Sequence, residues 1–426
     1  MGGASHDRVN RPRTRWTPAG DRLDSGEQAE KGEDPLDGLG SIPAAAGSRG
    51  ATASAHAPAC APREALAELR RLLGADPCAL VVVFASPVAD RDAVAAAAAE
   101  IFPEAPVVGC TTAGEIASTG YAEREIVAVG FRASHFRAET ALIPGLAALD
   151  PEAAAAQAAR LRAELGPDEP EWRWEFAFLL IDGLSRREDE LVTALRLGLG
   201  TIPLFGGSAG DGLDFRETFV LVDGRFRTDA AVLVLLRTRC RIEVFKFDNL
   251  EPVPIKMIVT DAEPERRIVR ELNAAPAAQE YARLIGRDPS NLSPFTFASH
   301  PIVVRVGGQH HVRAIQKVHP NGDLVFFSAI DEGLVLTLAE PVPIARHLEG
   351  ALAKLDRRGP PEAILACDCI LRRLAVAQAQ GMREVSRILA AHHVVGFSTY
   401  GEQFNSVHVN QTMTGVAIYP AEGPAP

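Results

Sequence analysis

The chain has 426 residues, and at roughly 150 residues per domain this length predicts two or three domains. Hydrophobic residues make up 47% and charged residues 23% of the chain, which is typical of a globular protein and excludes whole-chain disorder and fibrous repeats. With 44 Lys and Arg against 55 Asp and Glu, the formal net charge is −11. An acidic chain is a poor nucleic-acid binder, because neutralising phosphates requires clustered cations.

The sequence also predicts a cytoplasmic protein with no membrane partner. Its longest apolar runs are far shorter than the roughly 18 residues that a spanning helix needs. The basic residues near the start are not followed by the apolar segment of a secretory signal. The six cysteines do not form a disulfide framework and are typical of a reducing compartment.

Residues 1–62 are predicted to form a disordered tail. They contain only a handful of large apolar side chains among Gly, Ala, Pro, Ser, Arg and acidic residues. Such a segment cannot bury enough surface to offset the entropy that is lost when it becomes ordered. We therefore expect the folded part of the chain to begin at residue 63.

One supersecondary unit recurs three times in the remaining sequence. Each copy has a buried strand, a helix, a second strand that runs into a glycine loop, and a closing strand. The first strands are predicted at Leu80–Phe84, Phe176–Ile181 and Ala363–Ala366, and the closing strands at Ile126–Phe131, Ala230–Leu236 and Thr414–Tyr419. Because a helix joins the first two strands of each copy, those strands should be parallel.

The glycine loops are the most informative part of this repeat. They span residues 109–115, 206–211 and 396–402, and each contains a hydroxyl side chain, a glycine and an acid. Open α/β sheets bind their ligands at the carboxyl ends of their strands, which is where these loops lie. We therefore expect the three loops to converge on one crevice.

Alternating strands predict a β-meander between the second and third copies. The strands are placed at Lys256–Thr260, Ile302–Val306, Val312–Val318 and Leu324–Ile330, with a hairpin turn at Asn321-Gly322. Helices at Ala278–Leu284 and Val342–Lys354 are expected to cover it. Lobe boundaries are placed at Glu251–Pro254 and Asp288–Pro294. The predicted fold class is mixed α/β, with repeated strand-helix-strand-strand units plus a β-meander, in two lobes.

These motifs resemble those of the FIST sensory-domain family. The N-terminal half of that family is similar at Val108–Ile116, Asp182–Ser185 and Phe205–Asp211. Its C-terminal half is similar at residues 315–318, 329–334, 368–373 and 396–412. The resemblance extends from about residue 77 to the end of the chain, and it implies a FIST N-terminal domain at 63–273 and a FIST C-terminal domain at 274–426.

The function that the resemblance implies is small-ligand sensing. FIST domains occur alone or joined to histidine kinases and cyclic-di-GMP enzymes, and are thought to bind ligands such as amino acids. One subgroup, the NosP proteins, binds haem and senses nitric oxide. Since this chain has no kinase or diguanylate-cyclase motif, we expect a nitric-oxide sensor that binds haem b and signals through a separate histidine kinase or cyclic-di-GMP enzyme. The alternative is a sensor of an amino-acid-like ligand without haem.

His408 is the candidate axial ligand of the haem iron. It follows the third glycine loop and lies between Val407 and Val409, an apolar setting that suits a porphyrin edge. Neutral imidazole is a good ligand of iron, and nitric oxide weakens the bond opposite it. The alternative is a packed histidine that donates to a loop carbonyl.

The predicted ligand-binding residues lie in or next to the three loops. Their acids would pair with an ammonium group, while hydroxyls and backbone N–H groups would hold a carboxylate. The alternative is that the acids cap local turns. The residues are Thr112, Gly114, Glu115, Ser208, Gly210, Asp211, Thr399, Gly401, Glu402, Asn405 and Asn410.

An enzyme is the third hypothesis. Cys110 lies in the first glycine loop and would be a nucleophile if a base were near it, and the acidic loops are the other candidates. Phe397 takes the place of Cys110 in the third copy, which indicates a packing position. Cys367 and Cys369 share one face of a strand, but no second pair of metal ligands stands at zinc-site spacing. We expect no enzymatic activity.

Overall fold

A computed structural model describes residues 50–421, apart from residues 168, 307 and 358. Its fold is mixed α/β, as predicted. The α-helices are α1 (Pro62–Leu73), α2 (Arg91–Ile101), α3 (Pro151–Glu164), α4 (Glu188–Leu199), α5 (Ala277–Leu284), α6 (Pro294–Ser299), α7 (Ile344–Leu355), α8 (Ile370–Gln378) and α9 (Met382–Ala391). Short 3-10 helices lie at Leu146–Ala148, Pro264–Arg266 and Pro289–Asn291.

The described residues contain four principal sheets. Their strands are β1 (Thr52–Pro58), β2 (Cys78–Ala85), β3 (Val107–Thr111), β4 (Glu115–Ala117), β5 (Gly120–Ala122), β6 (Glu125–Arg132), β7 (Phe136–Pro144), β8 (Trp174–Ile181), β9 (Leu204–Ser208), β10 (Val220–Val222), β11 (Arg225–Arg227), β12 (Ala230–Thr238), β13 (Cys240–Asp248), β14 (Leu250–Glu263), β15 (Ile268–Leu272), β16 (Ala275–Pro276), β17 (Ile302–Val306), β18 (Gln309–Val312), β19 (Ile315–Val318), β20 (Leu324–Phe326), β21 (Val335–Pro341), β22 (Ala363–Cys369), β23 (Val394–Thr399), β24 (Glu402–Phe404), β25 (Val407–Val409) and β26 (Thr412–Ala421).

Three repeats of the same design make up most of the structure. Each repeat has an edge strand, a helix, a first strand, a crossover helix, a second strand, a small hairpin and a closing strand. The first and second strands are parallel in all three repeats, as predicted, in the pairs β2–β3, β8–β9 and β22–β23. The crossover helices therefore lie on one face of each sheet, as right-handed connections require.

The small hairpins are exchanged between the repeats. The first sheet has the order β1-β6-β2-β3-β10-β11, so it ends in the hairpin of the second repeat. The second sheet ends in the hairpin β24–β25 of the third repeat, and the third sheet ends in the hairpin β4–β5 of the first. Each repeat thus completes the sheet of another one. The exchange closes on itself, and it brings the three glycine loops together.

The three sheets share one apolar core. Successive side chains of a strand point to opposite faces, so Leu80, Val82 and Phe84 enter the shared core while Val81 and Val83 pack on helices. Separate clusters fill the spaces between each sheet and its helices. This two-sided burial explains why the first strands are nearly continuous apolar runs in the sequence.

An insertion in the third repeat forms the remaining sheet. It spans β14 to β21, between β13 and α7, and has a core of its own. It begins at Leu250, next to the lobe boundary predicted at Glu251–Pro254. The domain boundary predicted at residues 273 and 274 lies inside this sheet, because β15 and β16 pair across it.

Several predictions of local structure were wrong. The strand β1 pairs with β6 and α1 begins at Pro62, so the part of the predicted tail that follows residue 50 is ordered. Residues 1–49 lie outside the described residues. The helix predicted at Val342–Lys354 is α7, and it packs on the third repeat rather than over the meander. The predicted strand Val312–Val318 is divided into β18 and β19.

The shared core predicts that one aromatic pair stabilises the whole three-repeat body. Phe84 of the first repeat and Phe397 of the third stack with ring centroids 4.6 Å apart. We expect Phe397→Ala to lower the free energy of unfolding by about 3–5 kcal/mol, because it leaves a cavity where two sheets meet. Urea denaturation followed by circular dichroism measures this change. The control is Leu197→Ala at an exposed position, which should change it by about 0.5 kcal/mol or less.

Candidate functional site

The three glycine loops lie directly against one another. The backbone N–H of Ala113 donates to Ser398 O at 2.9 Å, and that of Ser208 donates to Gly401 O at 2.8 Å. The N–H of Gly210 donates to Thr111 O at 3.0 Å. A Cβ atom on Gly210 would lie 2.8 Å from that of Ala113, so the close approach requires glycine. The loops therefore converge through direct backbone contacts with one another.

The acids of the first and third loops bond within their own repeats. Glu115 accepts hydrogen bonds from the Thr112 hydroxyl and from the N–H of Glu125, the first residue of a closing strand. Glu402 accepts bonds from the Thr399 hydroxyl and, at 2.7 Å, from the hydroxyl of Thr412, where the next closing strand begins. Both carboxyl groups are completely buried. Each acid thus connects its loop to a closing strand.

The second loop and the predicted amide Asn405 also have structural roles. Asp211 accepts bonds from the N–H groups of Phe215, Arg216 and Glu217 and from the Tyr400 hydroxyl, so it caps a turn. The Ser208 hydroxyl accepts a bond from the Gln403 amide. Asn405 has a positive φ of 54° in the turn between β24 and β25. The geometry favours turn capping over pairing of the three acids with one ammonium group.

A cavity of about 610 Å³ lies between the start of α4 and the inserted sheet. Its described lining comes from the segment before and within α4, from residues around Arg267 and Arg313, and from residues 329–334. None of the ligand-binding residues predicted from the sequence is part of this lining. Its volume is in the range of small-ligand sites.

Charged side chains of both signs surround this cavity. The lining contains four arginines and four acids: Arg186, Arg187, Arg267, Arg313, Asp189, Glu190, Glu265 and Asp331. Arg267 pairs with the buried Glu188 at 2.6 Å, and Arg187 pairs with Glu190 at 3.0 Å. Arg186 and Arg313 have no carboxylate within ion-pairing distance among the described residues.

The environment of Arg313 is unfavourable for a lone cation. Burial lowers the pKa of this guanidinium group, and Arg267 lowers it further, while Asp189 acts in the opposite direction. The buried Nε of Arg313 has no hydrogen-bond partner in the described part of the chain. Nη1 donates to the Val312 carbonyl at 3.3 Å, but a largely buried cation without a carboxylate partner is costly, and an anion that enters the cavity would relieve this cost.

A second group of unpaired polar atoms lies close to the cavity. His408 Nε2, Asn410 Oδ1 and Ser328 Oγ are buried and have no partner among the described residues. His408 interacts electrostatically with Asp189, Arg267 and Arg313, which line the cavity. Ser328 precedes Ala329, whose N–H donates to Asp189 at 3.2 Å. Unpaired buried polar groups are uncommon and indicate a missing ligand or water.

Haem ligation by His408 has two requirements, and the geometry meets one of them. Burial lowers the pKa of His408, so its imidazole is neutral, and Nε2 has no partner. A porphyrin also needs open space beside Nε2. That side faces Gly401, where a Cβ atom would lie 2.3 Å from His408 Cε1 and 2.8 Å from Asn410 Nδ2. The described residues around His408 therefore do not fit a haem.

The thiol of Cys110 is not placed for nucleophilic catalysis. It is completely buried, and burial, followed by the nearby Glu115, raises its pKa well above the ordinary value. The thiolate is the nucleophile, so this environment suppresses reactivity. The same is true of Cys367 and Cys369, whose pKa values are raised by burial. Within the described residues, no group of three or more His, Cys, Asp or Glu side chains could hold a metal ion.

Some residues of this region were predicted from the sequence, and others were missed. Gly401, His408 and Asn410 are predicted residues that lie next to one another. Arg186, Arg313 and Ser328 were missed, because nothing in their local sequence distinguishes them. Gln403 was also missed; it occupies the hairpin position that Ile116 and Leu221 hold in the other two repeats. Among the described helices, none is both long and apolar enough to cross a membrane.

The buried Glu402 predicts a pH-dependent stability. Burial raises its pKa to about 8, against about 4.5 in an unfolded chain. A raised carboxyl pKa stabilises the folded state at low pH, and this contribution is lost as the pH rises through the folded value. We expect the wild type to lose roughly 1 kcal/mol or more of unfolding free energy between about pH 6 and pH 9. Glu402→Gln should show a smaller loss in denaturation at each pH.

The control for this experiment is Glu152→Gln, at an exposed position in the first turn of α3. It should retain the pH dependence of the wild type. An equal slope in Glu402→Gln and the wild type would show that Glu402 is ionised throughout this range.

Comparisons with known proteins assign the chain to a family. The model of the FIST N domain matches residues 79–275, and the model of the FIST C domain matches residues 277–405. An uncharacterized protein of Methanocaldococcus jannaschii is 27% identical over an alignment of 177 residues that covers 38% of this chain. The matched part spans about a third of that protein, 33% of its length. The two domain models together cover most of the sequence, and the chain belongs to the FIST family.

Proposed function

We propose that this protein is a small-ligand sensor and that its ligand binds in the cavity between α4 and the inserted sheet. The observation that carries the proposal is Arg313, a largely buried guanidinium group without a carboxylate partner on a cavity of about 610 Å³. FIST domains are sensory domains for small ligands, which fits a binding cavity. The predicted crevice among the glycine loops is replaced in this proposal by the adjacent charged cavity.

The charges around the cavity favour a ligand that carries both a carboxylate and an amine. Arg313 and Arg186 are available to a carboxylate, because neither has an acidic partner among the described residues. A guanidinium group binds a carboxylate through two parallel hydrogen bonds. Asp189, Glu190, Glu265 and Asp331 can receive an ammonium group on the same ligand. This is the amino-acid-like ligand that the sequence offered as its alternative.

Arg313→Gln tests the carboxylate site. Binding of the L-amino acids to the wild type is screened by thermal shift, because a ligand that binds the folded state raises the melting temperature. We expect Arg313→Gln to weaken binding of the best amino acid about 10- to 100-fold, since a charge-assisted hydrogen bond is lost. Titration calorimetry measures the dissociation constants.

Arg305→Gln is the matched control for this substitution. Arg305 is an exposed arginine on the strand β17 of the same inserted sheet, and it does not line the cavity. Its substitution should leave the affinity unchanged. Equal affinities for the wild type and Arg313→Gln would refute the assignment of Arg313.

Haem is the alternative ligand, and the absorption spectrum distinguishes haem from an amino-acid-like ligand. On the present proposal, protein purified from cells supplied with haem has no Soret band, because the space beside His408 Nε2 is filled by Gly401 and Asn410. A Soret band that disappears in His408→Ala would establish haem binding and would support nitric-oxide sensing. Ultraviolet–visible spectra of the two proteins are sufficient.

In this proposal, a separate partner protein receives and passes on the signal. FIST domains occur joined to histidine kinases and cyclic-di-GMP enzymes, so a separate enzyme of one of these classes is the proposed receiver of the signal. Ligand binding would couple the position of α4 to that of the inserted sheet, because residues from both line the cavity.

A further inference from the structure

The cavity between α4 and the inserted sheet has two arginines to offer a ligand. Of the four arginines on its lining, Arg187 and Arg267 form ion pairs with acids of α4. Arg186 and Arg313 have no carboxylate within ion-pairing distance among the described residues. The single carboxylate of an ordinary amino acid would occupy one of these two groups and leave the other without an anion.

The two unpaired arginines belong to different walls of the cavity. Arg186 lies in the turn that precedes α4, two residues before its first residue, Glu188. Arg313 lies in the inserted sheet, between the end of β18 and the start of β19. Arg313 is largely buried, and Arg186 is the more exposed of the two. A ligand that reaches both arginines therefore spans the cavity from one wall to the other.

The electrostatics of the lining indicate that these two guanidinium groups are well separated. Burial lowers the pKa of Arg186, and Arg267 and Arg266 lower it further. Burial also lowers the pKa of Arg313, and Arg267 adds to this effect while Asp189 opposes it. Neither Arg186 nor Arg313 is among the charges that shift the pKa of the other. Because the interaction of two charges weakens with distance, Arg186 and Arg313 offer two separate anion sites rather than one.

The acids of the lining include two that are free to bind an amine. Glu190 is used in an ion pair with the neighbouring Arg187, and Asp189 lies 3.6 Å from Arg267. Glu265 and Asp331 are exposed and have no cationic partner among the described residues. The lining thus combines two available cationic groups with carboxylates that can receive one ammonium group.

We propose that the ligand is an acidic amino acid, whose α-carboxylate binds Arg313 and whose side-chain carboxylate binds Arg186. The inference rests on the proposed function, in which Arg313 holds a carboxylate, and it narrows the ligand to amino acids with two carboxylates. A neutral side chain would leave Arg186 without an anion. A ligand with two carboxylates also connects the turn before α4 to the inserted sheet, so both of its acidic groups contribute to coupling these elements.

The test compares ligands of equal size that differ in charge. Binding to the wild type is measured by calorimetry for L-glutamate against L-glutamine and for L-aspartate against L-asparagine. We expect the acidic member of at least one pair to bind about tenfold or more tightly, because it gains charge-assisted hydrogen bonds. Arg186→Gln should abolish this preference and leave the affinity for the amide unchanged. Arg313→Gln should weaken the binding of both members of the pair to the same extent.

The matched control is Arg266→Gln, which removes the same charge from a neighbouring arginine. Arg266 is exposed, pairs with Glu263 at 3.3 Å and does not line the cavity. Its substitution should change the preference by about twofold or less, since exposed charges interact weakly. The melting temperature of Arg186→Gln without ligand should equal that of the wild type, which separates a loss of binding from a loss of folding.

Three results would overturn the assignment of the second carboxylate. They are a wild type that binds the amides as tightly as the acids, a preference that persists in Arg186→Gln, and a preference that Arg266→Gln removes equally well. If one of these results is found while Arg313→Gln still weakens binding, the proposed function stands and only the acidic ligand is refuted. If the wild type binds no amino acid, both proposals are refuted.

Discussion

The cyclic exchange of hairpins is the constraint on which the rest of this structure depends. Each hairpin leaves its own repeat directly after a glycine loop and pairs with the second strand of another repeat. The loops must then pass one another at the centre, where a Cβ atom on Gly210 would lie 2.8 Å from that of Ala113. The buried acids Glu115 and Glu402 fix the two turns from which such hairpins begin. Convergence of the loops is therefore a consequence of the exchange.

The exchange also explains where buried charge is tolerated. Tyr121, in the hairpin that the first repeat contributes to the third sheet, donates to Asp368, and Asp368 pairs with Arg372 at 2.7 Å. Arg372 also donates to Asn249 at 2.6 Å, just before the insertion begins. Every side chain in this chain of contacts is buried and has at least one partner, although Arg372 Nη2 has none among the described residues. Such networks fix one arrangement of the repeats, while removal of a single member would leave an uncompensated charge.

The candidate site has the opposite character. Arg313, His408, Asn410 and Ser328 contain polar atoms that are buried and unpaired in the described structure. They come from the insertion and from the third repeat, and α4 of the second repeat supplies the charges beside them. Unpaired buried polar atoms also occur elsewhere in the described structure, as at Trp174 Nε1 and His347 Nδ1, but among the described residues with such atoms it is Arg313 that lines the charged cavity. This position on the cavity is the physical basis for placing ligand binding here.

The sequence alone determined the repeat, the parallel strand pairs and the ends of several helices. Apolar runs of strand length are local signals, so the first strands of the three repeats were predicted correctly, as was the helix at Ala278–Leu284 to within a residue. The sequence also identified His408 and Asn410 as candidate binding residues. The placement of three-residue strands such as β4 and β24 has no local signal, because β4 pairs with β23 and β24 pairs with β9, segments that are distant in the chain. Only the tertiary structure decided that Glu115 and Glu402 bond to their own closing strands and that Arg313 has no carboxylate partner among the described residues, since both depend on which distant segments meet.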